Sequence, residues 1–146
     1  MSDLREYISK VKKIKELKTI KTKVSTKYEI AGITAKVDNS HAVLFENIKE
    51  SDFRLVSNLV GTRKRFALAV GGTDKNIHQK VISAIKNAKA PKIIPNGKFM
   101  ENKSKNVLSM PIVTHFEKES GPFITSSIAY AKNPETGKQN SSFHRM

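Results

Sequence analysis

The apolar residues of this chain come only in short groups, and the spacing within those groups changes along its length. Up to residue 95 the helical and strand periods alternate. Beyond a polar, Lys-rich stretch, Asn96 to Asn106, the strand period takes over. That alternation predicts a mixed α/β unit followed by a second unit of antiparallel β character. No apolar run approaches the ~20 residues of a membrane-spanning helix.

The detail follows from the residues. Asp3 with Glu6 resembles a capping box, and Leu4, Ile8, Val11 and Ile14 then lay one apolar stripe on a first helix. Leu17 to Val24 has strand character. Ser25 is placed to cap a second helix, with Glu29 in its first turn and Ile30, Ile33 and Val37 inward. His41 to Phe45 is almost wholly apolar and predicts a buried strand, and Phe53 to Val56 predicts another. Gly61-Thr62 opens a short helix around Phe66, Leu68 and Ala69 that ends at Gly71-Gly72. Thr73 starts a further helix with Ile77, Val81 and Ile85 on one face. Pro91 and Pro95 bracket an extended linker. Phe123 to Tyr130, the turn Asn133-Pro134-Glu135-Thr136-Gly137 and Gln139 to Met146 predict a hairpin. The implied division is 1–95 for the first domain, 96–109 for a linker and 110–146 for the second unit.

Composition narrows the chemistry. The 146 residues hold no cysteine, which removes disulfides, thiolate metal sites and Cys nucleophiles and fits a cytoplasmic protein. The net charge of +14 points first to nucleic acid. Residues 1–30 carry +5, 31–85 carry +3, 86–105 carry +5 and 106–146 only +1. The basic residues are mostly Lys and there is no Trp, whereas base reading and stacking favour Arg and aromatic rings. Charge alone gives weak, salt-dependent binding, so a basic nucleic-acid module stays an alternative rather than the lead. The four histidines, His41, His78, His115 and His144, are too scattered for a local metal motif. Gly71-Gly72-Thr73-Asp74 lacks the frame of a phosphate loop, and no serine sits in a nucleophile elbow.

Two strings carry more information. Ala42 to Gly71 reads AVLFENIKESDFRLVSNLVGTRKRFALAVG, and Met110 to Met146 reads MPIVTHFEKESGPFITSSIAYAKNPETGKQNSSFHRM. Together, LFEN, GPFITSS, NPETG and NSSFHR resemble the N-terminal portion of the UbiD-family decarboxylases. NSSFHR is more like the archaeal members, which include the decarboxylase of anhydromevalonate phosphate that makes isopentenyl phosphate. The similarity runs over nearly the whole chain and is weakest from Ile94 to Leu108. It implies an N-terminal α/β (α+β) domain followed by the first strands of a split-barrel flavin-binding domain.

The resemblance also implies chemistry. Family members are carboxy-lyases that use prenylated FMN, usually with Mn²⁺ and with a monovalent cation, K⁺, at the cofactor phosphate. A flavin prenyltransferase is the cofactor source, and the full-length enzymes are homo-oligomers. Asn140 matches the family's Asn metal ligand, whose carbonyl oxygen is a hard donor. Phe143, His144 and Arg145 match its cofactor-contacting stretch, and Arg145 matches its catalytic Arg, which holds a substrate carboxylate. Strand alternation puts Asn140, Ser142 and His144 on one side and Phe143 and Arg145 on the other. The family's second metal ligand and catalytic acids lie beyond the position of Met146, so the chain is expected to be an N-terminal fragment, inactive alone. A non-catalytic partner domain is the other alternative.

Overall fold

Helix α1, Leu4–Lys13, begins where Asp3 turns extended and its carboxylate accepts the Glu6 N–H at 2.8 Å. Lys10, Lys12 and Lys13 fill its last turn, where cations suit the helix dipole. These observations come from a computed structural model that describes residues 3–90, 92–97 and 100–146. Pro91, one end of the expected linker, lies outside the described residues. The buried face of α1 is Tyr7 and Val11, rotated from the expected stripe, and Leu4 is exposed.

Strand β1, Leu17–Ile20, stops earlier than expected, and Val24 makes only an isolated bridge to Ile48. Helix α2, Glu29–Lys36, starts after Tyr28, whose φ of 68° is left-handed. Ser25 does not cap it by side chain. Its N–H donates to the Glu29 carboxylate at 2.7 Å and its carbonyl accepts from Ile30. Strand β2, Ala42–Phe45, pairs parallel with β1 and antiparallel with β3, Leu55–Ser57. The order β1-β2-β3 makes β2 the central strand, which explains its unbroken apolar sequence. Val43 and Phe45 face α2 in a core with Val24, Ile30, Ile48 and Val113. Ala42 faces the other way, onto Tyr7 and Val11 of α1. Phe53 lies outside the sheet and is exposed.

Helix α3, Arg63–Ala69, is capped by Thr62, whose hydroxyl oxygen accepts the Arg65 N–H at 3.3 Å. It buries Arg65 and Ala67 rather than Phe66. Gly71 then takes a φ of 68°, a left-handed turn that suits glycine. Helix α4, Ile77–Lys86, buries only Ile77, and Ile82 and Ile85 are exposed.

The second unit is sewn to the first by a short seam. After a 3-10 turn at Val107–Ser109, the Ser51 hydroxyl donates to the Ser109 carbonyl at 2.6 Å. Thr114 exchanges backbone bonds with Thr26 and Tyr28, each 3.1 Å, and Val113 enters the core. The chain then forms a hairpin from β4, Ser127–Lys132, and β5, Gln139–His144. The molecule is thus a mixed α/β unit with a separate two-stranded sheet, as the sequence pattern predicts, and no closed barrel is present among the described residues.

Candidate functional site

The hairpin owes its register to its turn. The Asn133 carboxamide oxygen accepts the N–H groups of Glu135 at 2.9 Å and Thr136 at 2.7 Å. The Gly137 N–H reaches the Asn133 carbonyl at 2.9 Å with a φ of 67°, a conformation that favours glycine. Asn133 and Lys138 then close the turn and Lys132 meets Gln139, so the ladder ends with Ile128 opposite Phe143 and Ser127 opposite His144. The Ser127 hydroxyl also donates to the His144 carbonyl.

This register places the four singled-out residues. Asn140 lies opposite Ala131, and Asn140, Ser142 and His144 share one face of β5. Phe143 is on the other face, beside Ile128, and is 87% exposed. Arg145 lies just past the strand. There Ile124 and Met146 exchange N–H···O bonds of 2.6 and 3.2 Å, which extend the pairing of the two chain segments. The Arg145 Cζ sits over the Phe123 ring, 4.3 Å from its centroid. Five strand steps separate Asn140 from Arg145, about 17 Å at strand rise. The two therefore cannot serve one compact centre, and suit opposite ends of an elongated ligand.

Asn140 contributes one neutral oxygen, which accepts the Ser141 N–H at 2.9 Å. Among the described residues no three His, Asp or Glu side chains cluster to hold a metal, so these residues alone do not make a divalent site. A flavin is better served: an open apolar ring at Phe143 and the His144 imidazole end an exposed strand, and the Arg145 guanidinium follows just past it. The carboxylate of Glu119 accepts the backbone N–H of His115 at 2.8 Å and of Phe116 at 3.2 Å. The His115 bond is the main reason its carboxyl is held below the ordinary range, and the Arg145 charge adds to it. Sequence reading missed Phe123 as a neighbour of Arg145. Counted outward from the Asn133–Gly137 turn, the hairpin register puts Ser126 opposite Arg145, and the Ile124–Met146 pair lies one residue out of that register, so the sequence held no signal for Phe123.

Comparison with known proteins settles the kinship. Residues 8–85 match the model of the 3-octaprenyl-4-hydroxybenzoate carboxy-lyase N-terminal domain, and residues 88–146 match that of its Rift-related domain. The chain belongs to the UbiD family. Among curated UbiD relatives, it is 28% identical over 143 residues to the anhydromevalonate phosphate decarboxylase of Methanothermobacter thermautotrophicus, covering 98% of this chain and 33% of that protein. The enzyme of the same name from Methanosarcina mazei is 28% identical over 144 residues, covering 97% and 32%. Among solved structures, the UbiD-class enzyme HmfF from Pelotomaculum thermopropionicum with FMN matches at a TM-score of 0.89 and 30% identity, over 97% of this chain and 33% of that one. An evolved dimeric form of HmfF with prenylated FMN also matches at 0.89, with 28% identity over 99% and 35%. The chain thus spans about a third of the length of the relatives it matches.

Proposed function

We propose that this chain forms one wall of the active site of a prenylated-FMN-dependent carboxy-lyase, which removes CO₂ non-oxidatively from an α,β-unsaturated or aromatic acid. The observation that carries this reading is β5 itself, an open strand with an amide oxygen at Asn140 and a guanidinium just past its far end, at Arg145. Phe143, His144 and Arg145 contact the flavin. Asn140 would give one ligand to Mn²⁺, and K⁺ is the monovalent cation expected with the cofactor. The other metal ligands and the catalytic acids come from outside the described residues.

When bound, the modified flavin supplies the electron sink for decarboxylation. The work of this chain is to bind and orient. The planar fork of Arg145 takes both oxygens of a substrate carboxylate. Its position past the end of β5 supports a carboxylate held at one end of the strand, away from Asn140.

The substrate we favour is anhydromevalonate phosphate, giving isopentenyl phosphate for isoprenoid synthesis in the cytoplasm. The two archaeal relatives of that name support it. We divide the chain at 1–95, 96–109 and 110–146, and place it in a homo-oligomer supplied by a flavin prenyltransferase.

The test is CO₂ release from anhydromevalonate phosphate by the enzyme that joins these residues to the remaining ligands and acids. Arg145→Lys should lower kcat by about a hundredfold, because a point charge replaces the fork and misplaces the carboxylate. Wild-type rates for that variant would remove Arg145 from the catalytic set. The 146-residue protein alone is expected neither to turn over nor to retain prenylated flavin, and turnover by it would overturn that part.

A further inference from the structure

Arg145 makes no ion pair among the described residues. A long, exposed, unpaired Arg samples many rotamers, and each must be given up before a ligand is held. Here one contact narrows that freedom: the guanidinium carbon lies over the Phe123 ring, 4.3 Å from its centroid. The ring is a fixed platform. Phe123 is half-buried, and its N–H donates to the carbonyl of Val113, at 3.2 Å, which is itself in the core. The Ile124–Met146 bond pair then holds the two segments side by side.

The ring meets the guanidinium at its carbon, and a contact there leaves the N–H donors available to a carboxylate. We infer that Phe123 is a positioning residue, which presents the Arg145 fork to the carboxylate of the ligand. This rests on the reading that Arg145 is the carboxylate-holding group. Phe123 touches no reacting atom and acts only through Arg145.

The experiment is NMR on the whole 146-residue chain, with benzoate as the carboxylate probe. The Arg145 Nε–H resonance should be shifted upfield by the ring in the wild type. Phe123→Tyr should keep that shift and the benzoate affinity. Phe123→Leu should lose the shift and weaken benzoate binding about two- to fivefold, the equivalent of one exposed cation–π contact. Retained cross-strand NOEs between the Ile124 and Met146 amides show that the hairpin end is intact. Should Leu disturb them, Phe123→Met removes the ring while keeping apolar bulk and is read in the same way. A ringless variant with the Ile124–Met146 NOEs retained, wild-type Arg145 shift and wild-type affinity overturns the inference while leaving the carboxylate reading in place. If benzoate fails to perturb Arg145 in the wild type, or binds Arg145→Lys equally well, the carboxylate reading falls and this inference with it.

Discussion

Arg65 is the one charged side chain among the described residues with no exposed surface. Its Nη1 donates to the Glu16 carboxylate at 3.1 Å and to the Ser40 carbonyl at 3.0 Å. Its Nε and Nη2 have no protein partner among the described residues. Glu16 is therefore the nearest balance to a buried charge, although it also binds Lys64 at 2.6 Å. Glu16→Gln leaves that charge without its counterion and should cost about 3 kcal/mol, read as a fall in the urea midpoint. The Lys64 bond first, and then Arg65, hold the Glu16 carboxyl below its ordinary value of 4.5. Its stabilising effect is thus complete above that value and drains away as the pH falls through the lowered native one. Midpoints measured from about pH 6 to about pH 3 should fall more steeply for wild type than for Glu16→Gln. None of this was readable in the sequence, because an Arg on a short helix reads as solvated. Its partner lies 49 residues away.

At the scale of elements, spacing served best where one face packs tightly. The existence of α1, α2 and β2, and both hairpin strands, follows from period and turn chemistry. Boundaries failed where backbone geometry decided them: the left-handed φ of Tyr28, not a side-chain cap from Ser25, starts α2. The expected inward stripe of α4 failed for a different reason, since of its three residues only Ile77 is buried and Val81 and Ile85 are exposed. In the candidate site, the sharing of a face by Asn140 and His144 was readable from alternation alone, whereas the contact of Arg145 with Phe123 depends on the pairing beyond β5, which lies one residue out of the hairpin register. Thr62→Ala removes the hydroxyl cap of α3 and should cost about 1 kcal/mol in chemical denaturation. All six residues of β5 are exposed while β2 is largely buried, and a lone hairpin is marginal in water. Amide exchange should therefore be fast throughout β5 and slowest in β2, and equal protection in the two would contradict this picture.

For the whole molecule, +11 of the +14 net charge falls on residues 1–95. β1 is an edge strand, and its exposed Lys18 helps to keep that edge from pairing with another chain. That lysine thus has a structural use that asks for no polyanion. What joins the halves is small: Ser51 on Ser109, Thr114 on Thr26 and Tyr28, and Val113 in the core. Val113→Ala should destabilise by about 1 to 2 kcal/mol through lost burial and the cavity left behind, measured by thermal unfolding. The seam also has a consequence in time. The three-stranded sheet is complete by Ser57, well before Val113 leaves the ribosome, and the hairpin closes through its own local turn. The seam must wait for Val113 to emerge and for a long loop to close, which comes before either hairpin strand has been made. Until then the nascent chain carries a nearly finished core with one gap in it, the place that Val113 later fills.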